Sequence, residues 1–310
     1  MHAGVSIKGG SKVDILGRFE QFVSRRCARG NPSPHTVRSY RTQARMWLGW
    51  CAGRGLDPLV ATEEDVVSYR AELVGRYAEA TVALKLQVVA TLYEALGVEP
   101  NPAEKVRPPR DGTPPEERIE YLTVDQVRAI FAAVGALEDP VRRARDRAMV
   151  GLLVTFGLRA QELRGLELCD VILLKRKPGR LVIRSGKGRK RRTLHLTVET
   201  AAMVRDWLAV RPVGGRSLFV GLTGRGALSD SGLRKVVKAH LRAAGVDVDG
   251  QACHVFRHTA ITLAVAFGAA RAHVQRMAGH ADPRTTDLYV HLVEAERENP
   301  ALIVEAALAA

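Results

Sequence analysis

Apolar residues recur at helical spacing through the first part of the chain, which predicts a helical region. One apolar stripe covers residues 13–23, and a second runs from Val37 to Cys51. Ser33-Pro34 suits the start of the second helix, because serine caps a helix N-terminus and proline fits its first turn. The opposite face of this helix carries three arginines, Arg38, Arg41 and Arg45.

Two more helices are predicted before residue 100. The segment Thr62–Asp65 resembles a capping box, in which the first and fourth residues satisfy each other's backbone groups. The fourth helix is predicted from about Ala80 to Leu96, where Gly97 and the prolines behind it stop the pattern. Residues 10–102 are therefore predicted to form a helical domain.

The segment 103–118 has a different composition from its neighbours. Few apolar residues occur there, and prolines and a glycine lie among charges: Pro108, Pro109, Gly112, Pro114 and Pro115. This composition is typical of an exposed, extended linker. We expect it to join the helical domain to a second domain at 119–310.

The second domain is predicted to mix helices with short strands. A capping signal at Thr123 and Gln126 starts helical patterns that reach about Val154. Short apolar runs between 169 and 196 predict strands, and the glycine-bearing segment 185–190 predicts a hairpin turn. Helices resume at about 197–210, 230–244, 254–267, 271–278 and 284–292, and Asn299-Pro300 suits the start of a tail helix. The predicted fold class is mainly α with a small β-sheet, a helical N-terminal domain followed by an α+β domain.

Charge and composition indicate the kind of partner. Lys+Arg is 47 against Asp+Glu 33, a net charge of +14, which favours a polyanion such as nucleic acid. The four scattered cysteines form no C-x-x-C pair, so neither a disulfide framework nor a zinc site is predicted. The N-terminus lacks the apolar core of a signal peptide, and no apolar run approaches the ~20 residues of a membrane span. We expect a cytoplasmic protein that does not contact a membrane.

Residues suited to phosphate chemistry are concentrated near the C-terminus. His254, Arg257, His280 and Tyr289 follow one another, and Arg159 lies far upstream. Guanidinium groups stay charged and bind two oxygens at once, which suits a phosphate that gains charge during reaction. A tyrosine, with a pKa near ~10, attacks phosphorus well only when its phenol is helped to lose a proton. Arg257 stands in an otherwise apolar helix, where a charge is costly without an anionic partner.

A zinc site is the competing interpretation of His254 and His258, which are four residues apart on one helix face. The metalloprotease pattern requires glutamate directly after the first histidine, and Val255 stands there instead. We therefore predict neither a metal nor another cofactor.

A general acid speeds the departure of a leaving oxygen by protonating it. Lys187 and Lys190, in the predicted hairpin turn, are both candidates for this role. The alternative is that this basic cluster, which includes Arg189, Lys190, Arg191 and Arg192, only contacts the DNA backbone, as we predict for Arg38, Arg41 and Arg45.

The ordered set Arg159, His254-x-x-Arg257, Gly279-His280 and Tyr289 resembles the tyrosine recombinase (phage integrase) family, and the compact chain is similar to its Xer-like members. The resemblance extends over the whole chain. Residues 10–102 resemble the family's core-binding domain, and the part from 119 resembles its catalytic domain. The resemblance also favours Lys187 over Lys190, because the family carries its hairpin lysine in such a turn.

This resemblance implies a mechanism. Tyr289 attacks a DNA phosphate, which gives a 3′-phosphotyrosyl link and a free 5′-hydroxyl without metal or ATP. Arg159, Arg257 and His280 stabilise the transition state. His254 assists proton movement at the tyrosine, and Lys187 does so at the leaving oxygen.

The resemblance also implies an assembly on double-stranded DNA. Four protomers bring two sites together and exchange strands through a Holliday junction, and a paralogous partner remains an open alternative. The tail helix docks either on a neighbouring subunit or on its own domain.

Two other functions remain open at this point. One is a type IB topoisomerase-like or end-resolving enzyme, which the short chain and separate helical domain disfavour. The other is a DNA-binding accessory protein without catalysis, which has no need of Tyr289. The sequence specifies neither the target site nor the choice between integration, excision and dimer resolution.

Overall fold

The computed structural model describes residues 14–26, 34–109, 112, 114, 117–184, 191–222, 226–247, 252–297 and 300–308. The chain separates into two compact units, Met1–Gly112 and Thr113–Ala310. Helices dominate both units, and within the described ranges the strands that pair into a sheet lie in the second unit. The predicted fold class, mainly α with a small sheet, is confirmed.

The first unit consists of helices around an aromatic core. Its described helices are α1 (Ile15–Arg26), α2 (Pro34–Ala52), α3 (Glu63–Leu73) and α4 (Glu79–Leu96). The rings of Trp47 and Trp50 stack at 5.2 Å, and Tyr69 meets both edge-on. Tyr93 accepts a hydrogen bond from Trp47 Nε1 (3.2 Å) and donates one to the Pro58 carbonyl (2.8 Å). These bonds satisfy the polar ends of buried aromatic side chains and fix α2 against α4.

Local signals set the ends of these helices as predicted. The Thr62 side chain accepts from the backbone of Asp65, and the Asp65 carboxylate accepts from the backbone of Thr62. Gly97 ends α4 in the left-handed region at φ 69°, which glycine adopts without a Cβ penalty.

The segment after α4 corrects one prediction. Ala103 and Val106 are buried in the core of the first unit, although the segment from 103 was predicted to be exposed. The reason is Asn101, whose side chain donates to the Ala90 carbonyl (2.9 Å) and accepts from Ala103 N (3.0 Å). These bonds hold the chain against α4, and the exposed stretch begins at Arg107.

The second unit contains most of the elements. Its helices are α5 (Val124–Gly135), α6 (Pro140–Phe156), α7 (Ala160–Arg164), α8 (Val198–Val210), α9 (Asp230–Ala243), α10 (Ala252–Ala266), α11 (Arg271–Ala278), α12 (Arg284–Arg297) and α13 (Pro300–Leu308). Its strands are β1 (Val171–Ile172), β2 (Arg180–Arg184) and β3 (Arg191–His195). The capping box predicted at Thr123 is present at the start of α5.

The strands form one antiparallel sheet in the order β1-β2-β3. The pairing of β2 with β3 runs from Arg180 opposite His195 to Arg184 opposite Arg191, so these two strands form the predicted hairpin. Leu181, Ile183 and Leu194 are buried in the main core of the unit. The segment 185–190, which contains Lys187, Arg189 and Lys190, lies outside the described residues.

Helix α10 occupies the centre of the second unit. It packs against α6, α9, α11 and α12, and Phe256 on it is fully buried. Thr259 on the same helix accepts a hydrogen bond from Leu122 N (2.9 Å), which secures the chain just before α5. Side chains on α10 are therefore held by packing on several sides.

Helix α13 begins at Pro300, where the sequence predicted a tail helix. Its Val304 and Leu308 side chains are exposed within the chain. Of the helices that the structure describes, none combines the length and apolar character needed to cross a membrane.

Candidate active site

The second unit brings together five of the six residues that were predicted to be catalytic. Arg159 precedes α7, His254 and Arg257 lie on α10, His280 follows α11, and Tyr289 lies on α12. The sixth, Lys187, lies outside the described residues, as does its alternative Lys190. The choice of general acid therefore stays a prediction.

Three guanidinium groups bind three successive carbonyls at the end of α11. Arg192 Nε donates to Met277 (3.0 Å), Arg257 Nη2 donates to Ala278 (2.7 Å), and Arg159 Nη2 donates to Gly279 (3.4 Å). The last carbonyls of a helix lack partners within the helix and carry the negative end of its dipole. These carbonyls can hold the arginines in place without themselves neutralising the guanidinium charge.

Gly279 makes this arrangement possible in two ways. It ends α11 in the left-handed region at φ 63°, a conformation that residues with a Cβ rarely adopt. A Cβ at this position would also lie 2.8 Å from Nη1 of Arg192. The left-handed backbone therefore favours glycine in the Gly279-His280 pair, and the lack of a Cβ leaves room for the guanidinium of Arg192.

Arg257 is buried, with 4% of its surface exposed. Its Nη1 donates to the Gly157 carbonyl (2.7 Å), in addition to the bond from Nη2 to Ala278. The sequence predicted an anionic partner, and the structure instead supplies two carbonyls at helix ends. Burial and the nearby Arg159 lower the pKa of Arg257 to about 10, so the side chain is still charged at neutral pH.

Glu162 is the carboxylate that connects the arginines. It accepts from the backbone N of Arg159 (3.0 Å), from Arg159 Nη1 (3.1 Å), and from Arg192 Nη1 and Nη2 (2.7 and 2.9 Å). Burial alone would raise the pKa of Glu162, but these hydrogen bonds and positive charges outweigh it and lower the pKa to about 2. Glu162 therefore remains ionised and holds both guanidinium groups.

Glu162 was assigned no role from the sequence, and Arg192 was named only as a member of the basic cluster that could contact the DNA backbone. Glu162 had a usable local signal, because it lies three residues after Arg159 in a capping-box arrangement. Arg192 had none, since it only continues a run of basic residues. Its partners at Glu162 and Met277 are distant in the chain.

Tyr289 is buried, with 4% of its surface exposed, and its hydroxyl lies 2.7 Å from Nδ1 of His258. The rings of His258 and His280 both lie near the tyrosine ring, with centroids 5.8 and 6.2 Å from it. Burial raises the pKa of Tyr289, and the charges of Arg257 and Arg159 partly oppose this rise. The phenol is consequently protonated at neutral pH.

His258, rather than His254, contacts the tyrosine hydroxyl. His254 is exposed and lies one helical turn away, with its ring 6.2 Å from that of His258. From the sequence, His258 was considered only as a candidate zinc ligand, and no contact with the tyrosine was predicted for it. Within the described ranges, no group of histidine, cysteine and acidic residues is arranged to hold a metal ion.

All three histidines of the site are held towards the neutral form. Burial, followed by the charges of His254 and Arg257, lowers the pKa of His258 to about 4. Burial and the surrounding arginines, Arg257 first, lower the pKa of His280 to about 4, and its Nδ1 lies 2.8 Å from Thr286 Oγ1. The pKa of His254 is lowered by partial burial and then by Arg257 and Arg159.

The predicted DNA-contacting arginines differ in their surroundings. Arg38 and Arg45 are exposed on α2 of the first unit, and Arg191 is exposed on β3 of the second. Arg41 forms an ion pair with Glu20 (2.7 Å), so part of its charge is already compensated. Arg189 and Lys190 lie outside the described residues.

Two family models match the chain. The phage integrase family matches residues 120–296, and the phage integrase N-terminal SAM-like domain matches residues 18–99. The first match covers more than half of the chain and includes the catalytic candidates described above.

Individual relatives match nearly the whole length. Tyrosine recombinase XerC of Alcanivorax borkumensis is 33% identical over 294 residues, which cover 90% of each protein. Tyrosine recombinase XerD of Yersinia pestis is 29% identical over 88% of this chain and 92% of its own. A crystal structure of the XerH site-specific recombinase bound to a palindromic difH substrate aligns with a TM-score of 0.72, at 18% identity, over 94% of this chain and 96% of that one. The chain therefore belongs to the phage integrase family and is a site-specific tyrosine recombinase.

Proposed function

We propose that this recombinase cuts and rejoins double-stranded DNA through a covalent bond between a 3′-phosphate and Tyr289. The observation that carries the proposal is a buried tyrosine hydroxyl bonded to a neutral histidine, beside Arg159 and Arg257. A phenol in these surroundings has a group able to accept its proton and a positive field able to stabilise the phosphate.

Arg159 and Arg257 bind the scissile phosphate in this mechanism. The two bonds of Arg257 to carbonyls use only part of its donor capacity, so further N–H groups are available to an oxyanion. Because the carbonyl partners of Arg257 carry only partial charge, the field of its guanidinium is retained for the developing negative charge, whereas Glu162 offsets part of the charge of Arg159. Preorganised donors of this kind are worth about 10²–10³ in rate each.

His280 supplies a further donor to the phosphate. Its Nδ1 lies 2.8 Å from the hydroxyl of Thr286, which can donate to that nitrogen. The ring hydrogen then lies on Nε2, where it is available to a non-bridging oxygen. In this arrangement Thr286 sets both the tautomer and the ring orientation of His280.

Lys187 protonates the departing 5′ oxygen, with Lys190 as the alternative, and His254 assists proton movement near the tyrosine. The phosphotyrosyl bond conserves the energy of the phosphodiester, so the 5′-hydroxyl of another strand can displace Tyr289 without a nucleotide cofactor. The reaction as proposed needs no metal ion.

Double-stranded DNA is the proposed partner, contacted by exposed cations of both units. The exposed Arg38 and Arg45 of the first unit and the exposed Arg191 of the second are proposed to bind backbone phosphates, and Arg189 and Lys190 are assigned the same role. We place the protein in the cytoplasm, which agrees with the free thiols of Cys51, Cys169 and Cys253.

Four copies on two DNA sites are the proposed active assembly. A lambda integrase tetramer bound to a Holliday junction aligns with this chain with a TM-score of 0.67, at 16% identity, over 89% of this chain and 76% of that one. The exposed apolar side chains of α13 suit docking on a neighbouring subunit, and a paralogous partner would occupy an equivalent position.

Covalent capture tests the proposal. The full chain and its Tyr289→Phe variant are each incubated with DNA from the native host. The protein is then denatured, the DNA that stays attached to it is recovered, and the ends of that DNA are sequenced. We expect discrete ends with the wild type and none with Tyr289→Phe, whereas the matched control Tyr77→Phe, at a half-exposed tyrosine of the first unit, behaves as wild type. Intact DNA binding without any adduct would favour the non-catalytic alternative, and adducts at scattered sites would favour a topoisomerase-like enzyme.

A further inference from the structure

Nδ1 of His258 lies 2.7 Å from the hydroxyl of Tyr289, within hydrogen-bond distance of the atom that attacks phosphorus. We propose that His258 is a further catalytic residue, which accepts the proton of Tyr289 during strand cleavage and returns it during religation. This inference rests on the proposed function, because it requires Tyr289 to be the nucleophile.

The other two histidines are less suited to this role. His280 Nδ1 is engaged by Thr286 Oγ1 (2.8 Å), and its ring stacks on Tyr289 at an angle of 19°. A stacked ring presents its face to the phenol and directs its nitrogens elsewhere. His254 is exposed and meets the ring of His258 rather than the tyrosine hydroxyl.

The position of His258 is fixed by the helix that carries it. It follows Arg257 on α10, whose Phe256, Arg257 and Thr259 are buried, so the backbone beneath the imidazole is held by packing and by hydrogen bonds. Tyr289 is held on the facing helix, α12. Hydrogen-bond geometry between base and nucleophile therefore exists before DNA arrives, which is what efficient general base catalysis requires.

The charge state of His258 agrees with an acceptor role. Burial and the charges of His254 and Arg257 keep its pKa near 4, so Nδ1 carries a lone pair at neutral pH in the tautomer with hydrogen on Nε2. Among the described residues, the charged or titratable groups that act on it or contact it are His254, Arg257, His280 and Tyr289. An incoming phosphodiester offsets part of the guanidinium charge, and this raises the proton affinity of His258 when the proton has to move.

The proposed step balances in both directions. In cleavage the Oη–P bond forms, the proton of Oη passes to Nδ1, and the P–O5′ bond breaks as the general acid protonates O5′. In religation the 5′-hydroxyl attacks phosphorus and gives its proton back to the conjugate base of the general acid, the P–Oη bond breaks, and the imidazolium of His258 returns its proton to Oη. No oxidant, reductant or further reactant is involved.

The test combines His258→Gln with fluorotyrosine at position 289, on DNA that contains the cleavage site. Fluorination makes the phenol more acidic, so less help from a base is needed. We expect His258→Gln to lower the single-turnover rate of adduct formation by about 10²-fold or more without loss of DNA affinity. Fluorotyrosine should restore at least ten-fold of that loss in His258→Gln and change the wild-type rate by much less.

A second measurement separates a chemical role from a structural one. Starting from the preformed adduct, His258→Gln should slow religation by the same factor as cleavage and leave the equilibrium fraction of adduct unchanged. His273→Gln, at an exposed histidine on α11, is the matched control and should behave as wild type. His258→Asn repeats the test if the glutamine variant is poorly folded.

The outcomes are distinguishable. Equal effects of fluorination in wild type and His258→Gln, or a wild-type cleavage rate in that variant, would overturn the role of His258 while adducts continued to support Tyr289. Failure of the wild type itself to form any adduct would instead overturn the proposed function.

Discussion

The two units of this recombinase hold positive charge in different ways. In the first unit, Arg38 and Arg45 extend from α2 into solvent, and Arg54 forms an ion pair with Glu72 at the surface. In the second unit, Arg257 is buried and its guanidinium is bound by carbonyls at the ends of α6 and α11. The first arrangement leaves the charges of Arg38 and Arg45 available at the surface, and the second fixes the position of the charge of Arg257.

This difference corresponds to different costs and uses. An exposed ion pair contributes about 0–1 kcal/mol and is screened by salt, so surface arginines mainly affect association with DNA. A buried guanidinium has lost its hydration, and burial together with Arg159 lowers the pKa of Arg257 to about 10. We infer that the fold bears this cost because a fixed, weakly hydrated cation stabilises a phosphate transition state better than a mobile one.

Burial of a cation alone does not make an active site, as the first unit shows. Lys85 is buried there, with its Nζ 2.7 Å from Gln43 Oε1 and 4.4 Å from the ring centre of Tyr77, and burial lowers its pKa. The groups that Nζ meets are an amide, the thioether of Met46 and a ring, and they offer no activated nucleophile. The second unit differs because its buried cation adjoins a tyrosine hydroxyl and neutral histidines.

The largest expected effect follows from removing the buried charge. Arg257→Gln should lower the single-turnover rate of adduct formation by about 10²–10³-fold, because one preorganised donor is lost from the transition state. The affinity for DNA should change only a few-fold, and the cleavage rates are compared at saturating DNA. The measurement is quenched cleavage of DNA containing the recombination site.

The matched control for Arg257 is Arg271→Gln. Arg271 forms a surface ion pair with Asp287 (2.6 Å) in the same unit, so its removal should leave the rate within about two- to three-fold of wild type. The thermal midpoint of Arg257→Gln is measured in parallel, because two carbonyls lose their partner. A folded Arg257→Gln protein that cleaves within ten-fold of wild type would contradict the contrast between the units.

A smaller effect is expected from changing how the arginines are positioned. Arg192→Lys keeps the charge, but an ammonium cannot bind both oxygens of Glu162 while also bonding to Met277. We expect cleavage to slow by about 10–100-fold with unchanged DNA affinity, because Arg159 loses the fixed carboxylate that orients it.

Arg191→Lys is the control for this prediction. It makes the same replacement at the neighbouring residue of β3, where the side chain is exposed, and it preserves any bond to a phosphate. If Arg192→Lys and Arg191→Lys reduced the cleavage rate equally, any arginine on β3 would be equally important for cleavage. In that case the bonds of Arg192 to Glu162 and Met277 would have no special role.

Much of the fold could be predicted because its signals are local. Helical periodicity, the capping boxes at Thr62 and Thr123, and the glycine that ends α4 lie within a few residues of the elements they define. The pairing of β2 with β3 was also predictable, since the sequence predicts a glycine-bearing hairpin turn between two short apolar runs. The burial of Ala103 was not, because it depends on the hydrogen bond of Asn101 to α4.

The site shows the same division between local and distant information. The spacing of His254 and Arg257 placed both on one helix, and the family resemblance supplied the order of the remaining candidates. The bonds of His258 to Tyr289 and of Arg192 to Glu162 join elements far apart in the chain. No periodicity within α10 or β3 specifies which side chain meets which.

The smallest effect is expected in the first unit, where removing exposed arginines tests whether surface charge acts on DNA binding alone. Arg38→Gln combined with Arg45→Gln should weaken DNA binding a few-fold at physiological salt. The dependence of log affinity on log salt should flatten by about one for each phosphate that the double variant no longer binds. Cleavage at saturating DNA should proceed at the wild-type rate. The two effects are separated by measuring affinity across a salt series and the rate at saturation.

Arg41→Gln provides the control on the same helix. Because Arg41 is paired with Glu20 (2.7 Å), its removal should change the salt dependence less than removal of either exposed neighbour. If the double variant also cleaved slowly at saturating DNA, the first unit would contribute to the chemical step as well as to binding. The separation between charge that attracts DNA and charge that acts on its phosphate would then no longer follow the division into two units.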